Sequence, residues 1–183
     1  MRIITGSARG KRLVTVPGND IVRPTAERVK EGLFSSIQFD IEGRRVLDLF
    51  AGSGQLGLEA LSRGAAEATF VDCSDVSLST VKTNIEATGF GNVSKTVKSD
   101  YLSFTSRCGS IFDLVFIDPP YASGLFEKAV AAVIPITSKH GTIICEHPKN
   151  VALPDEINGF VAVRTLKYGT VAVTLYKCGG DAD

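Results

Sequence analysis

Asp118-Pro119-Pro120-Tyr121 places a carboxylate, two prolines and an aromatic ring in consecutive positions, directly after the apolar run 111–117. Two prolines stiffen a loop and remove N–H donors, so its carbonyls are left as acceptors with little ordering cost. The exocyclic amine of a nucleobase is a poor nucleophile because its lone pair is delocalised into the ring. A carboxylate at Asp118 and the carbonyl of Pro119 can each accept one N–H of such an amine. That orients the lone pair towards an electrophile and disperses the positive charge that builds up on nitrogen. Tyr121 can stack on the base, which must be unpaired or flipped out of a helix to reach the loop.

A second constellation lies upstream. Asp48-Leu49-Phe50-Ala51-Gly52-Ser53-Gly54-Gln55-Leu56-Gly57 follows a short apolar run and opens a helical pattern. Gly52 and Gly54 let backbone approach a ligand closely, and a helix start offers unpaired N–H groups. Asp72 stands 18 residues past Gly54 at the end of the next apolar run, where a carboxylate can accept both hydroxyls of a ribose. These features predict a cofactor that contains adenosine. NAD and S-adenosylmethionine both fit the glycines. Asp48 favours the second, since a carboxylate there binds an ammonium and repels a pyrophosphate, and residues 118–121 settle the choice for S-adenosylmethionine. Asp100, ending a third run, can accept from the adenine amino group.

These residues need strand ends to hold them. From residue 45 onward, β-type runs at 46–50, 68–71, 93–97, 111–117 and 142–145 alternate with helical patterns at 56–63, 76–88 and 125–134. That succession predicts an α/β, Rossmann-like, doubly wound and mostly parallel sheet, with ligands beyond the carboxyl ends of the strands. Runs at 161–166 and 171–176 flank Lys167-Tyr168-Gly169-Thr170, which predicts a terminal hairpin and an antiparallel C-terminal strand in a seven-stranded sheet. Ahead of the core, runs 2–5 and 13–16 predict a β-hairpin with Arg9, Lys11 and Arg12 at its tip. A loop at 17–20 follows, then a helix with Thr25 as its N-cap and Val29, Leu33 and Ile37 on one face. The predicted organisation is a single domain over 1–183. It divides into a hairpin and helix at 1–44, a catalytic core at 45–178 and a flexible tail at 179–183.

The chain has 183 residues, 44% hydrophobic and 22% charged, enough to bury a core without disulfides or metal. Its formal charge is zero, but residues 1–45 hold nine Lys/Arg against five Asp/Glu, a net of +4. The remaining 138 residues carry −4. A basic arm on an acidic body suits a partner whose phosphates approach from one side. Four scattered cysteines and two histidines give little material for a zinc site or a Ser–His–Asp triad. No apolar run approaches a membrane span, and the N-terminus has no signal-peptide core. The expectation is a cytoplasmic protein with no membrane and no metal.

Taken together, the motifs resemble the class I S-adenosylmethionine-dependent methyltransferases with the (D/N)PP(Y/F) loop of amino methylation. More closely, the chain is similar to the bacterial small-subunit ribosomal RNA guanine-N2 methyltransferases of the D type. The resemblance covers nearly the whole chain. It rests on Arg2-Ile3-Ile4-x-Gly6 with Arg9-Gly10-Lys11-Arg12-Leu13, on Arg23-Pro24-Thr25-x-x-Arg28-Val29-x-Glu31-x-Leu33-Phe34, and on Asp48-x-Phe50-Ala51-Gly52-Ser53-Gly54 with Leu56-Gly57-Leu58-Glu59-Ala60. The Asp118-Pro119-Pro120-Tyr121 loop completes it. The resemblance implies transfer of a methyl group to the exocyclic N2 of a guanine in 16S ribosomal RNA within the assembling small ribosomal subunit. It implies that Asp118, Pro119 and Tyr121 hold the guanine. Phe50, Ala51, Gly52, Gly54, Asp72 and Asp100 would hold the cofactor, with Thr25 and Arg28 closing over its methionine end. Arg2, Arg9, Lys11, Arg12 and Arg23 would face RNA. Thr5 stands where a second glycine is common. Cys73 follows the ribose acid where an acidic residue often appears, at the edge of the adenine pocket. A monomer is expected. The alternatives are an adenine-N6 methyltransferase of DNA or RNA, a nicotinamide-dependent oxidoreductase, and an RNA-binding module that has lost catalysis.

Overall fold

The computed structural model describes residues 1–17 and 24–180, without the side chains of 24–26. Arg23, most of the loop at 17–20 and the end of the tail lie outside the described residues. The apolar runs form one sheet because their successive side chains alternate between two buried layers. In β1 (Arg45–Asp48) Val46 and Leu47 are both fully buried, each in a different cluster, and the same holds for Leu114 and Val115 of β4 (Phe112–Ile117). Outward from β1 lie β2 (Glu67–Asp72) and β3 (Ser94–Lys98). On its other side lie β4, β5 (Thr137–Pro148), β8 (Val171–Cys178), β7 (Phe160–Tyr168) and β6 (Glu156–Ile157). The strands from β3 to β5 run parallel, while β8 pairs antiparallel with β5 and with β7. The seven strands expected from residue 45 onward are all present, and the two-residue β6 adds an eighth at the edge.

Helices α1 (Pro24–Ser36), α2 (Gln55–Ser62) and α3 (Asp75–Thr88) share one apolar layer, with Val29, Leu33, Leu58, Val81 and Ile85 buried against the sheet. Helix α5 (Phe126–Val133) covers the other face with Phe126, Ala129, Val130 and Val133. Gly89 ends α3 in the left-handed conformation expected of a C-terminal glycine. Helix α4 (Tyr101–Arg107) was not expected. It has seven residues and none fully buried, so no apolar periodicity announces it.

Two local expectations are corrected. Helix α1 begins at Pro24, so Thr25 lies inside it rather than at its cap. A proline fits the first helical position because its missing N–H has no intrahelical partner there. The N-terminal segment folds back on itself but forms a single antiparallel bridge, Arg2 to Arg12, in place of two strands. Much of the remaining backbone bonding of the segment goes to side chains of α2 and α3. The amides of Ile4 and Thr5 donate to the carboxylate of Glu59 at 2.8 and 3.1 Å. The Val14 amide donates to Asn84 Oδ1 at 2.8 Å, and Ser62 Oγ donates to the Thr5 carbonyl at 2.6 Å. The arm is therefore bonded to α2 and α3 as well as to itself, where the Ile3 amide donates to the Lys11 carbonyl at 2.9 Å and the Leu13 amide to the Met1 carbonyl at 3.0 Å. Gly6 makes this docking possible, since a Cβ there would lie 1.7 Å from the Ser62 carbonyl oxygen.

Candidate active site

The order β3-β2-β1-β4 reverses direction at β1, so the loops leaving β1 and β4 diverge and open a crevice at their carboxyl ends. The loop after β1 is shaped by its glycines. Gly52 and Gly54 have φ of +54° and +76°, and the Gly54 amide closes a tight turn on the Ala51 carbonyl at 2.6 Å. Gly57 acts through packing instead. A Cβ there would lie 2.4 Å from the Phe70 ring, so its absence lets α2 settle onto β2. This brings the start of α2 over the ends of β1 and β2.

Two carboxylates brace that loop. Asp72 Oδ2 accepts from the Gly52 amide at 2.9 Å, and Oδ1 from the Ser74 amide at 2.8 Å. Asp48 is 2% exposed and accepts from the Gly57 amide at 3.0 Å. Burial raises the Asp48 carboxyl from 3.8 to about 7, against the Gly57 hydrogen bond, with the charge of Asp72 adding to the rise. No cation partners it among the described ion pairs. The Phe50 and Tyr101 rings lie 5.7 Å apart. Asp100 is exposed and caps α4, with Oδ1 accepting from the Ser103 amide at 2.9 Å. Cys73 is exposed beside Asp72.

Beyond β4, Asp118 is partly buried, and burial pushes its carboxyl well above the usual carboxylate range, reinforced by the charges of Glu146 and then Asp48. The Pro120 carbonyl is occupied, accepting from the Ser123 amide at 2.9 Å and the Ser123 hydroxyl at 2.6 Å. The Pro119 carbonyl has no donor among the described residues. Tyr121 is fixed at both ends. Its ring meets the edge of Phe126 at 6.2 Å, and its hydroxyl donates to Glu146 Oε1 at 2.8 Å. It remains 41% exposed, which leaves ring surface for stacking. Burial, with the charge of Glu146, pushes its phenol further up, so it stays a donor.

Asp48, Asp72 and Asp118 thus stand near one another at the adjacent carboxyl ends of β1, β2 and β4, where the charge of Asp72 acts on Asp48 and that of Asp48 on Asp118. Sequence reasoning missed Glu146. Parallel register pairs Ile117 with Cys145, so Glu146 is the next residue of β5 beside Asp118. The expected strand stopped at 145; the strand-end rule applied to a longer β5 would have found it. Also missed were the buried polar anchors Glu59, Ser62 and Asn84. The signal for Glu59 was a carboxylate in the apolar stretch of α2. His147, in contrast, is structural: its Nε2 lies 2.9 Å from Thr174 Oγ1, across β5 and β8.

Arg2, Arg9, Lys11 and Arg12 are all exposed on the arm, Arg2 within 3.7 Å of Glu27. Arg28 is exposed on α1. No helix of the described residues is long and apolar enough to cross a membrane.

A family model described as "Conserved hypothetical protein 95" matches residues 1–177. The "Putative rRNA methyltransferase YlbH" of Bacillus subtilis is 36% identical, over 98% of this chain and all of that protein. The "Ribosomal RNA small subunit methyltransferase D" of Escherichia coli is 41% identical over 71% of this chain, an alignment that spans 65% of that protein. Among solved structures, "Putative methyltransferase yhhF from Escherichia coli" superposes with a TM-score of 0.83 at 35% identity, covering 97% of both chains.

Proposed function

The chain belongs to the family described as Conserved hypothetical protein 95, and from that premise we infer that it is an S-adenosylmethionine-dependent methyltransferase acting on the exocyclic N2 of a guanine in small-subunit ribosomal RNA. The observation that carries this reading is the pairing of two acceptors, Asp118 and the unoccupied Pro119 carbonyl, with a buried carboxylate that lacks a cation, in one crevice.

The donor set fits the cofactor. Asp48 offers buried negative charge for the ammonium of its methionine end. The second lone pairs of the Asp72 oxygens suit the ribose hydroxyls. Phe50 and the turn through Ala51, Gly52 and Gly54 line the approach, and Asp100 and Cys73 flank the adenine. Thr25 and Arg28 on α1 close the methionine end. S-adenosylmethionine supplies, when bound, a methyl group on a sulfonium, whose sulfur–carbon bond breaks as the amine nitrogen takes the methyl carbon. The protein's work is alignment. Asp118 and the Pro119 carbonyl each accept one N–H of the guanine N2, and Asp118 takes the proton that N2 sheds during or after transfer. Prior full deprotonation of so weak an acid by a carboxylate is not required. Tyr121, held by Phe126 and Glu146, stacks on the flipped base.

The arm would bind RNA through Arg2, Arg9, Lys11, Arg12 and Arg23, docked on the assembling subunit. The whole chain would act there as one domain and as a monomer, in the cytoplasm. The test is methyl transfer from labelled S-adenosylmethionine to small-subunit particles lacking N2-methylguanine, followed by nucleoside analysis. Label in N2-methylguanosine is expected. Label in N6-methyladenosine would keep the chemistry but overturn the base and the target.

A further inference from the structure

Resting on that reading, we propose that Glu146 is a base-specificity residue, whose carboxylate accepts the N1–H of the target guanine beside the N2 amine held by Asp118 and the Pro119 carbonyl. Amine methylation needs only the two acceptors that the loop after β4 already provides. A third acceptor on the adjacent strand is superfluous for the amine itself. Glu146 is the β5 residue next to Asp118 in the parallel register, and its Oε1 holds the Tyr121 hydroxyl at 2.8 Å. No other hydrogen bond and no ion pair engages its carboxylate among the described residues. It is therefore committed to the loop that would grip the base, with acceptor capacity to spare.

Base chemistry shows what such an acceptor reads. On the Watson–Crick edge of guanine, N1–H adjoins the N2 amine, so three N–H bonds lie side by side and three acceptors match them. Burial raises the Glu146 carboxyl, and the hydrogen bond from the Tyr121 hydroxyl opposes the rise and favours the ionised form, which only accepts. In adenine the ring nitrogen beside the amine is N1, an acceptor, and Glu146 would set a negative oxygen against its lone pair. A polar group left facing the wrong partner discriminates far more strongly than a missing contact in an apolar pocket. The Asp-Pro-Pro-Tyr loop is indifferent to which base carries the amine, and Glu146 removes that indifference.

The test uses a base that keeps the N2 amine but has an acceptor at N1. Small-subunit particles are reconstituted with guanine or with 2-aminopurine at the nucleotide that wild-type enzyme labels. Wild type is expected to prefer guanine by about 100-fold or more in kcat/KM. Glu146→Gln, whose amide can accept from guanine N1–H or donate to N1 of 2-aminopurine, is expected to narrow this to about 10-fold or less. Tyr121→Phe keeps the carboxylate and is expected to keep the preference, although it breaks the hydroxyl bond. Melting temperature and S-adenosylmethionine affinity by calorimetry establish that each variant is folded. Equal wild-type rates on the two bases overturn the proposal without any variant. So does a folded Glu146→Gln that keeps the wild-type preference, or a parallel loss in Tyr121→Phe, which would make Glu146 only a support for the ring. Label appearing in N6-methyladenosine overturns both this proposal and the reading it rests on; label in N2-methylguanosine with no base preference overturns this proposal alone.

Discussion

Asp118 and Asp48 are both carboxylates whose pKa is raised by burial, yet they serve different ends. Asp118 lies close enough to Glu146 for their charges to interact and precedes the spare Pro119 carbonyl, so its removal should be felt in chemistry and not in cofactor capture. Asp118→Ala is expected to lower the single-turnover rate by at least about 100-fold, while calorimetric affinity for S-adenosylmethionine stays near wild type. A rate close to wild type would take the amine away from Asp118. Asp48 makes its prediction through pH. Its carboxyl titrates at about 7 in the folded chain against 3.8 ordinarily. Between those values the native chain holds a proton that the unfolded chain has released. The stability of the ligand-free protein should therefore fall as pH rises from about 4 to about 7, with the loss complete above that. Asp48→Asn keeps an acceptor for the Gly57 amide and should flatten this dependence, raising the melting temperature at pH 8 while weakening cofactor binding. An ammonium arriving beside Asp48 would reverse the shift. Cofactor binding near pH 7 should then release protons, measurable by calorimetry in buffers of different ionisation enthalpy. Identical melting profiles for wild type and Asp48→Asn would show that the buried carboxyl does not titrate in this range.

At the scale of elements, the N-terminal arm is held by side chains that face inward from α2 and α3. Glu59 is fully buried and accepts from the Ile4 and Thr5 amides. It also pairs with Lys30 at 3.3 Å and with Arg63 at 2.9 Å. Lys30 is itself 2% exposed and donates to the Arg2 carbonyl at 2.6 Å. Burial pushes its ammonium pKa down, and the pull of Glu59 opposes this. Removing Glu59 strands a buried cation and leaves the partly buried Ile4 and Thr5 amides without their acceptor. Glu59→Ala is expected to cost about 3–5 kcal/mol in chemical denaturation and to expose residues 1–17 to proteolysis. A loss below about 1 kcal/mol would mean that the apolar contacts of Ile3, Ala8 and Leu13 hold the arm unaided. Asn84 extends the same arrangement to the cofactor loop, donating to the Val14 carbonyl at 2.9 Å and to the Ser53 carbonyl at 2.8 Å. The arm and the glycine loop thus share one side chain. None of this was legible in the sequence. Period-2 and period-3.6 patterns reveal β1 to β5 and α2, α3 and α5 because one or both faces of those elements are apolar. They are silent on α4, which buries nothing fully, and on an arm whose backbone bonds to side chains 54 to 70 residues away. The arm resembles a hairpin in its residues and keeps the Ile3–Lys11 and Leu13–Met1 bonds of one, and only the tertiary partners show that Glu59 and Asn84 take the amides of Ile4, Thr5 and Val14. In the site, Asp48, Asp72 and Asp118 were legible because strand ends and glycines mark them. Glu146 was not, because nothing in its own neighbourhood announces that β5 runs alongside β4 past Cys145.

Across the whole molecule, the docked arm turns a charge asymmetry into a directed surface. Residues 1–45 carry +4 and the rest −4, and the arm's cations at Arg2, Arg9, Lys11 and Arg12 all reach solvent. Because Ile3, Ala8 and Leu13 are buried with α1 and α2 in one apolar cluster, those cations sit on a rigid body and not on a tether. A rigid basic face loses little entropy on meeting a folded RNA, so its contribution should be read as counterions released. Arg9 and Arg12 are the arm residues to change. Neither appears among the described ion pairs, so their loss should leave the fold intact. If both meet phosphates, Arg9→Ala with Arg12→Ala should weaken binding to small-subunit particles. It should also reduce the magnitude of the slope of log K against log salt by about 1.5, roughly 0.7–0.9 for each contact. The turnover rate on saturating particles should change far less than the affinity, since neither side chain belongs to the crevice. Filter binding across a salt series measures the slope, and single-turnover methylation at saturation measures the rate. An unchanged slope would move the RNA contact off the arm, to a face whose charges are spread and not gathered. A slope that flattens while the saturated rate also collapses would mean that the arm does more than bind. Its shared contact with the cofactor loop through Asn84 would then be the route by which RNA engagement reaches the site.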